Sequence, residues 1–426
     1  MSILIKNGRV IDPDTKKDGL YDVLITEDKI AKVEQGIKEE ADEVLDAEGC
    51  YVMPGLIDLH VHLRDPGQTY KETVETGATA AAHGGFTTVL AMPNTKPVTD
   101  DRLNIRYVHN KARMSAPVHV LQAGAITKGQ KGKELSDIQS MVAEGTPAIS
   151  EDGKSVMDSC LCKEAMKIAA ECDIPVMAHC EDANLVDGGV ANDDEDMRKK
   201  GFRGISNAVE DIIAVRDVML AGETGAKLHL CHCSTWGSVE IVKQAKKYGI
   251  HVTAEVCPHH FTLTSKDIVG NDANYKMNPP LRTKKDVDAL KRGLRDDIMD
   301  VIATDHAPHS EEEKQRSFTA APFGIVGLET AVPLTITELV EKKYLTPMQM
   351  AQKMSYNPAK ILGLDKGSLA EGKAADVVII DPNEEYVINK NTFASKGRNT
   401  PFHGRTVRGK VKITICGGKI VYRDKK

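Results

Sequence analysis

Hydrophobic and polar positions divide the chain into two similar ends and a different middle. At both ends, short stretches alternate apolar and polar residues between turn signals such as Asn7-Gly8, Glu48-Gly49 and Gly417-Gly418. This two-residue period predicts β-strands, which we expect to form antiparallel sheets. Because residues 1–54 and 366–426 share the pattern, we predict that they form one small β-sandwich domain built from both termini.

The middle, residues 55–365, alternates short apolar runs with stretches of helical periodicity. Two of those stretches, VEDIIAVRDVMLAGETG and SVEIVKQAKKYG, have a glycine near the end, as helices often do. Eight apolar runs precede or follow such stretches: GLIDLHVHL, FTTVLAMP, PVHVLQAGA, TPAISED, IPVMAHCE, AKLHLCHC, HVTAEVCP and DVIATDHAP. Strands alternating with helices indicate a parallel sheet with crossover helices. Eight such units in about 310 residues predict an α/β fold, a (β/α)8 TIM barrel.

Composition excludes several classes of protein. The chain is 41% hydrophobic and 28% charged with a net charge of -6, which is typical of a globular protein and gives no basic surface for nucleic acid. Lys6 and Arg9 interrupt the N-terminal stretch where a signal peptide needs an apolar core, and no apolar run approaches the ~18 residues of a membrane span. We expect a cytoplasmic protein whose partner is a small molecule, not nucleic acid or a membrane.

The nine cysteines are scattered, without a Cys-x-x-Cys pair, and we interpret them as reduced, buried thiols.

His60 and His62 are the first candidate functional residues. They follow the apolar run Leu56–Leu59 and precede the turn Arg64–Gly67. Side chains two apart on a strand face the same way, so the two imidazoles can share one metal ion. A His-x-His pair alone is equally consistent with an ordinary loop. Its position at the carboxyl end of a barrel strand, where such enzymes carry their chemistry, favours a functional site.

Other metal-binding residue types follow four more of the predicted strands. Asp152 ends the fourth strand, His179 the fifth, His232 the sixth and Asp305 the eighth. Each alone could be a buried histidine or a turn carboxylate. Together with His60 and His62, however, they place six possible ligands on one rim of the barrel, and this joint pattern predicts a metal centre.

Four histidines and two carboxylates are more than one tetrahedral zinc ion requires. We therefore predict two divalent metal ions, assigned as zinc. His60, His62 and Asp305 are assigned to one ion, His179 and His232 to the other, and Asp152 to both as a bridge. Two ions can activate a water for attack on a carbonyl. Asp305 is then the predicted catalytic residue, a general base and later a general acid.

Several motifs occur in the chain in this order: HVHLRDPG, MPNT, ISEDG, AHCED, CHCST, MNPPLR, TDHAPH and GKAADVVIID. In these motifs and their order the chain resembles the longer bacterial type of dihydroorotase in the amidohydrolase superfamily. The resemblance implies reversible conversion of N-carbamoyl-L-aspartate into dihydroorotate in pyrimidine biosynthesis. It further implies that Arg64, Asn94 and His309 hold the substrate carboxylate, with Asn278 beside the substrate. A homodimer and a partner such as aspartate carbamoyltransferase are also expected from it.

Two alternatives remain open. A hydantoinase (dihydropyrimidinase) or allantoinase would share the layout, but a ring without a carboxylate would not need Arg64 and Asn94. A non-catalytic scaffold is the second alternative, and the six retained ligands count against it. The stretch TPAISEDG carries no lysine before Asp152, so we expect that carboxylate, and not a carboxylated Lys154, to bridge the metals.

We make three further predictions. His259 and His260 are interpreted as structural, and no role is assigned to six other histidines: His83, His109, His119, His229, His251 and His403. The loop Ser310–Phe323 is predicted to be a mobile lid, because its front half has no apolar residue to anchor it.

Overall fold

The computed structural model describes residues 2–424 and begins with seven short strands. These strands are β1 (Ser2–Lys6), β2 (Arg9–Asp12), β3 (Lys17–Leu20), β4 (Asp22–Thr26), β5 (Lys29–Glu34), β6 (Glu43–Asp46) and β7 (Tyr51–Pro54). Two of the predicted turns have the left-handed backbone that tight turns use, since φ is 62° at Asn7 and 75° at Gly49.

Eight parallel strands then form the barrel. They are β8 (Leu56–Val61), β9 (Phe86–Ala91), β10 (His119–Gln122) with its continuation β11 (Gly124–Ala125), β12 (Ile149–Ser150), β13 (Val176–Ala178), β16 (Leu228–Leu230), β17 (Val252–Val256) and β18 (Val301–Ile302). Two short strands outside the barrel, β14 (Ala191–Asn192) and β15 (Gly204–Ile205), pair with each other between β13 and β16. Each barrel strand pairs in parallel with the next. A parallel bridge from Val61 to His306 closes the ring, which confirms the predicted (β/α)8 barrel.

Helices connect the barrel strands and extend beyond them. They are α1 (Val74–His83), α2 (Arg102–Ser115), α3 (Ile138–Ala143), α4 (Ser159–Glu171), α5 (Ala183–Val186), α6 (Glu195–Lys199), α7 (Ala208–Thr224), α8 (Trp236–Lys247), α9 (Pro258–Thr262), α10 (Lys284–Arg295), α11 (Glu311–Lys314), α12 (Ala331–Thr335), α13 (Pro347–Ala351) and α14 (Asn357–Ile361). The glycine expected at the end of α7 is Gly225, which caps the helix with φ 72°. In the described range 2–424, no helix combines the length and apolar character needed to cross a bilayer.

The C-terminal strands return to the strands of the N-terminus. β19 (Val377–Val387), β20 (Thr406–Cys416) and β21 (Lys419–Arg423) complete a sheet of order β21-β20-β19-β7-β2-β3, and the second sheet has the order β5-β4-β1-β6. Both sheets are mixed, because β1 pairs in parallel with β6 and β2 with β7. The prediction of antiparallel sheets is therefore wrong for these two pairs. The chain changes sheets between β1 and β2 and between β6 and β7, so no hairpin forces an antiparallel partner.

The two terminal sheets enclose one apolar core. Ile3 and Ile25 of one sheet pack with Val52, Val377 and Ile415 of the other, and all five side chains are fully buried. The small β-sandwich formed from both termini is confirmed. The residue boundaries assigned to it and to the barrel stay a prediction.

The turn after β8 brings the first histidines to the rim of the barrel. Gly67 has φ 86°, and a Cβ there would lie 1.7 Å from the backbone oxygen of Lys96. Only glycine permits this approach. The turn Arg64–Gly67 is thereby held against the loop that follows β9.

Candidate metal centre

The six predicted ligands meet at the carboxyl ends of the barrel strands, and we call them the histidine–aspartate cluster: His60, His62, Asp152, His179, His232 and Asp305. Asp152 lies at its middle. Its carboxylate oxygens are 3.1 Å from His60 Nε2 and 3.5 Å from His62 Nε2. They are also 3.6 Å from His179 Nδ1 and 3.5 Å from His232 Nε2. One carboxylate therefore faces all four imidazoles, the position required of a bridge between two ions.

Asp305 faces the first pair of histidines. Its Oδ1 lies 3.1 Å from His62 Nε2 and 3.6 Å from His60 Nε2. Burial opposes ionisation of this carboxyl, but the hydrogen bond with His62 and the neighbouring imidazoles lower its pKa to about 2. The side chain is therefore an anion able to accept a proton.

Two members of the cluster have strained backbones. φ is 47° at Asp305 and 35° at His232, in the left-handed region that costs a residue with a side chain roughly 1–3 kcal/mol. Such strain persists where the surrounding structure fixes the conformation, and it gathers at functional sites.

The residues of the cluster fit a metal centre. His60 Nε2 and Asp152 Oδ1, which face each other, are buried and form no hydrogen bond within residues 2–424. Two further nitrogens that face Asp152, His179 Nδ1 and His232 Nε2, lie 2.9 Å apart. Buried polar atoms are nearly always paired, so the two unpaired ones at the middle of the cluster require an explanation. Imidazole and carboxylate are ligands that zinc accepts. A metal centre accounts both for the choice of residues and for their missing partners.

Glu255, which the sequence did not single out, lies behind His60. Its Oε1 is 3.0 Å from His60 Nδ1, and its Oε2 is 3.0 Å from Nε2 of His229. Burial opposes its ionisation, but hydrogen bonds with His229 and His60 hold the pKa of Glu255 well below its usual range. An ionised Glu255 accepts the Nδ1 proton of His60, which leaves Nε2 free toward Asp152. A carboxylate in this position commonly orients a metal-binding histidine.

The strand register contains a signal for this contact. His229 pairs with Thr253 across β16 and β17, and its Nδ1 lies 2.8 Å from Thr253 Oγ1. Glu255 is two residues further along β17 and therefore points to the same face. His229, to which no role was assigned, thus contacts the residue that orients His60.

Asn94 contacts two members of the cluster. Its Oδ1 lies 2.8 Å from His62 Nδ1, and its Nδ2 donates to Asp152 Oδ2 at 3.2 Å. An amide nitrogen has two hydrogens, so one remains for another acceptor. Asn94 therefore fixes the orientation of His62 and Asp152, in addition to any contact with substrate.

A cavity of about 200 Å³ opens over the cluster. Nine of the ten predicted site residues line it, whereas His60 lies beneath. The lining residues are His62, Arg64, Asn94, Asp152, Gly153, His179, His232, Asn278, Asp305, Ala307, His309, Phe323 and Gly324. The structure brings the predicted residues together, and their chemical roles stay predictions.

Arg64 and His309 line part of the cavity, and Lys71 contacts His309 without lining the cavity; we call these three residues the arginine wall. Arg64 donates from Nε to the backbone oxygen of Pro308 at 3.2 Å, and φ is 58° at this residue. Within residues 2–424 its Nη1 has no hydrogen-bond partner. The guanidinium is buried, so an unused donor there favours an anionic ligand.

His309 is already engaged at both ring nitrogens. Nε2 lies 2.7 Å from the backbone oxygen of Phe323, and Nδ1 lies 3.2 Å from Lys71 Nζ. Burial and the charges of Arg64 and Lys71 hold the pKa of His309 far below its usual value, so the ring is neutral. His309 would contact a substrate only by giving up one of these partners.

Asn278 also lines the cavity. Its Nδ2 donates to Glu181 Oε2, and the same oxygen lies 3.7 Å from His179 Nε2. Glu181, a second residue that the sequence did not single out, thus links Asn278 to the cluster.

The loop Ser310–Phe323 has anchors that its sequence did not reveal. Lys314 at the end of α11 is buried, and its Nζ donates to the backbone oxygens of Lys276, Pro322 and Gly324 at 3.1, 3.0 and 2.9 Å. Phe318 is also buried and stacks on Phe202. The front half has no apolar anchor, as the sequence indicates, but the buried Lys314 serves as a polar one. Movement of this loop as a lid stays a prediction.

Two further expectations concern residues near the site. Lys154 Nζ donates to the backbone oxygen of Gln130 at 3.1 Å and so is engaged with backbone outside the cluster. Of the nine cysteines six are buried, whereas Cys160 is exposed, so the expectation of buried thiols is wrong there. Cys160 lies in the first turn of α4, on its solvent face.

Comparison with known proteins identifies the class first. Residues 288–422 match the family model "Amidohydrolase family". The L-hydantoinase (dihydropyrimidinase) from Arthrobacter aurescens superposes with a TM-score of 0.89 at 25% identity, covering 100% of this chain and 96% of that one. Barrel, cluster and comparison together define an amidohydrolase, a class whose members depend on metal ions.

The family within that class follows from closer relatives. Residues 49–238 match the family model "Dihydro-orotase-like". A dihydroorotase of Clostridioides difficile (strain 630) is 49% identical over 423 residues, and one of Pelotomaculum thermopropionicum is 48% identical over 425 residues. The alignments cover 99% and 100% of this chain and 99% of each relative. The chain belongs to the dihydroorotase family.

Proposed function

We propose that this chain is a metal-dependent cyclic amidohydrolase that interconverts N-carbamoyl-L-aspartate and dihydroorotate in pyrimidine biosynthesis. The observation that carries the proposal is that the histidine–aspartate cluster and the arginine wall face the same cavity of about 200 Å³. The cluster suits cations next to a reacting carbonyl. The wall suits the carboxylate that distinguishes dihydroorotate from simpler rings.

The proposal assigns the cluster to two divalent ions, with Asp152 as the bridge and zinc as the metal. His60, His62 and Asp305 would hold one ion, and His179 and His232 the other. When bound, such ions supply a Lewis acid for the carbonyl and lower the pKa of water to near 7. Glu255 and Asn94 support this assignment, because they fix the ring orientations of His60 and His62.

Asp305 is the proposed proton carrier. An ionised carboxylate at this position can take the proton of the attacking water at one Oδ and deliver it to the nitrogen that leaves the ring. In the direction of ring closure the same oxygen accepts the nitrogen's proton. The low pKa of Asp305 keeps the carboxyl ionised, which is the form that can accept a proton.

Arg64 is the proposed main contact of the substrate carboxylate. Its planar guanidinium matches the two oxygens of a carboxylate, and Nη1 is free of other partners within residues 2–424. Asn94 can add its second amide hydrogen, and Asn278 is a further lining residue of the cavity. His309 would take part after exchanging its bond to Phe323 or Lys71.

The test compares substrates on one purified, metal-replete enzyme. Dihydroorotate hydrolysis should be fast, whereas dihydrouracil, hydantoin and allantoin should react weakly, since they cannot use Arg64. Preference for a ring without the carboxylate would make the chain a hydantoinase or allantoinase. Metal analysis in the same preparation should find at least two equivalents of zinc per chain. We further propose that the chain forms a homodimer and that aspartate carbamoyltransferase is its partner. Size-exclusion chromatography with and without that enzyme tests both proposals.

A further inference from the structure

A second group of buried metal-binding residue types lies just beyond β17, where the chain enters α9. It consists of Cys257, His259 and His260, and one ligand atom from each lies within 4.8 Å of the other two. Their side chains are between 0% and 2% exposed. None of the three belongs to the histidine–aspartate cluster, and none lines its cavity.

The polar atoms of this group lack partners. His260 Nε2 lies 2.9 Å from the backbone oxygen of Pro279, so this nitrogen carries the hydrogen and Nδ1 carries the lone pair. That Nδ1, and Nε2 of His259, are buried without a hydrogen-bond partner within residues 2–424. A backbone oxygen on the far nitrogen is how metal-binding histidines are usually oriented.

The protonation states suit a ligand set. Burial, together with the neighbouring imidazole, holds the pKa of His259 well below its usual value, and burial lowers that of His260 to about 4. Both rings are therefore neutral, as ligation requires. Burial raises the pKa of the Cys257 thiol well above its ordinary value, so without a cation the sulfur keeps its proton. A bound metal ion would displace that proton.

We propose that Cys257, His259 and His260 form a separate, structural metal site that takes one thiophilic divalent cation such as zinc. Zinc bonds of ≈ 2.0 Å to nitrogen and ≈ 2.3 Å to sulfur give ligand–ligand edges of about 3.5 Å, so atoms that now lie within 4.8 Å of one another need to approach by about 1.3 Å at most. The ion would join the end of β17 to the first turn of α9, and water would fill the fourth position.

The experiment uses cobalt supplied during expression, because the buried site cannot be expected to fill from solution. A thiolate bound to Co²⁺ gives a sulfur-to-metal charge-transfer band in the near ultraviolet. The histidine–aspartate cluster contains no sulfur, so the band reports a cysteine site whether or not the proposed activity is correct. The expected result is a band in the folded wild type, and its loss together with one cobalt per chain in Cys257→Ser.

Two matched variants identify the sulfur. Cys162 is a buried thiol in α4, far from Cys257 in the chain, and it contacts Asp217. Cys162→Ser should therefore keep the band. Cys231→Ser should also keep it, although Cys231 lies near His60 and Glu255. Loss of the band in Cys231→Ser, or its persistence in Cys257→Ser, would overturn the assignment.

If Cys257→Ser fails to fold, a second variant still tests the proposal. His259→Asn removes one ligand without breaking a side-chain hydrogen bond, and it should lose the same cobalt ion. Absence of the band in folded, cobalt-grown wild type would by itself refute the site.

Discussion

The histidine–aspartate cluster and the arginine wall both contribute residues to the same cavity but are built differently. The cluster lies at strand ends and gathers two carboxylates among imidazoles, with Asp152 facing all four rings. The wall lies on loops and carries Arg64 and Lys71, balanced by Glu313, which lies 2.9 Å from Lys71. Rigid strand ends thus hold the region suited to cations, and loops hold the region suited to an anion. The two regions should respond differently to mutation.

The largest effect is expected from Asp152→Ala, which removes the carboxylate at the middle of the cluster. The four imidazoles would lose their shared partner, so both ions should be lost and turnover should fall to near background. Atomic absorption and a dihydroorotate assay measure the two results. Glu151→Gln is the control, since Glu151 bonds Thr127 and not the cluster.

Removing bicarbonate during metal reconstitution should leave metal content and activity unchanged. A strong requirement for bicarbonate would point to a carboxylated lysine as the bridge instead of Asp152.

Asp305→Asn should separate rate from metal content. An amide oxygen can still ligate but cannot carry a proton, and general acid–base catalysis is typically worth about 10²- to 10⁴-fold in rate. We expect kcat to fall by that amount while the metal content stays at the wild-type level. Wild-type turnover in the metal-loaded variant would place the proton carrier elsewhere.

Arg64→Met tests the wall. Losing one partner of a desolvated charge pair costs about 2–5 kcal/mol, and each 1.4 kcal/mol is a factor of ten. kcat/KM for dihydroorotate should therefore fall by roughly 30-fold to several thousand-fold. Arg64→Lys should recover part of this loss, because it keeps the charge without the two-pronged geometry.

The control for Arg64→Met is a ring without the carboxylate. Weak hydrolysis of dihydrouracil should hardly change, because the cluster is untouched. An equal loss for both substrates would show that Arg64 supports the cluster, and the distinction between the two regions would then fail.

The smallest effect is expected from Glu255→Gln, behind the cluster. An amide cannot accept protons from both His60 and His229 as the carboxylate does, and loss of such a supporting contact typically costs about 10- to 100-fold in metal affinity. Competition with a chelator measures it. Glu210→Gln is the matched control, because Glu210 is equally buried and bonds Ser234 and Ser238 instead of a ligand. It should lower stability and leave metal affinity unchanged.

The cluster was predictable because each of its members ends an apolar run, and strand ends of a barrel meet at one rim. Glu255 was not, because it lies inside such a run, and its contact with His60 depends on which strands are neighbours. Asn94 was predicted for substrate alone, since a motif does not show which acceptor a side chain reaches first. Lys314 was not predicted as an anchor, because the residues next to it in the chain do not indicate that the backbone oxygens of residues 276, 322 and 324 converge on its ammonium group.

The pairing of β7 with β19 also constrains how the protein can be made. During translation β2 and β7 leave the ribosome early, and Tyr51 can pair at once with Arg9. The other edge of β7 stays unpaired until its partner β19, which begins at residue 377, has been synthesised. Contacts so distant in sequence form slowly, and an unpaired strand edge invites association with other chains. Nascent chains that already contain the whole barrel therefore still expose this edge, directly beside the strand that carries His60, and a chaperone would have to protect it there.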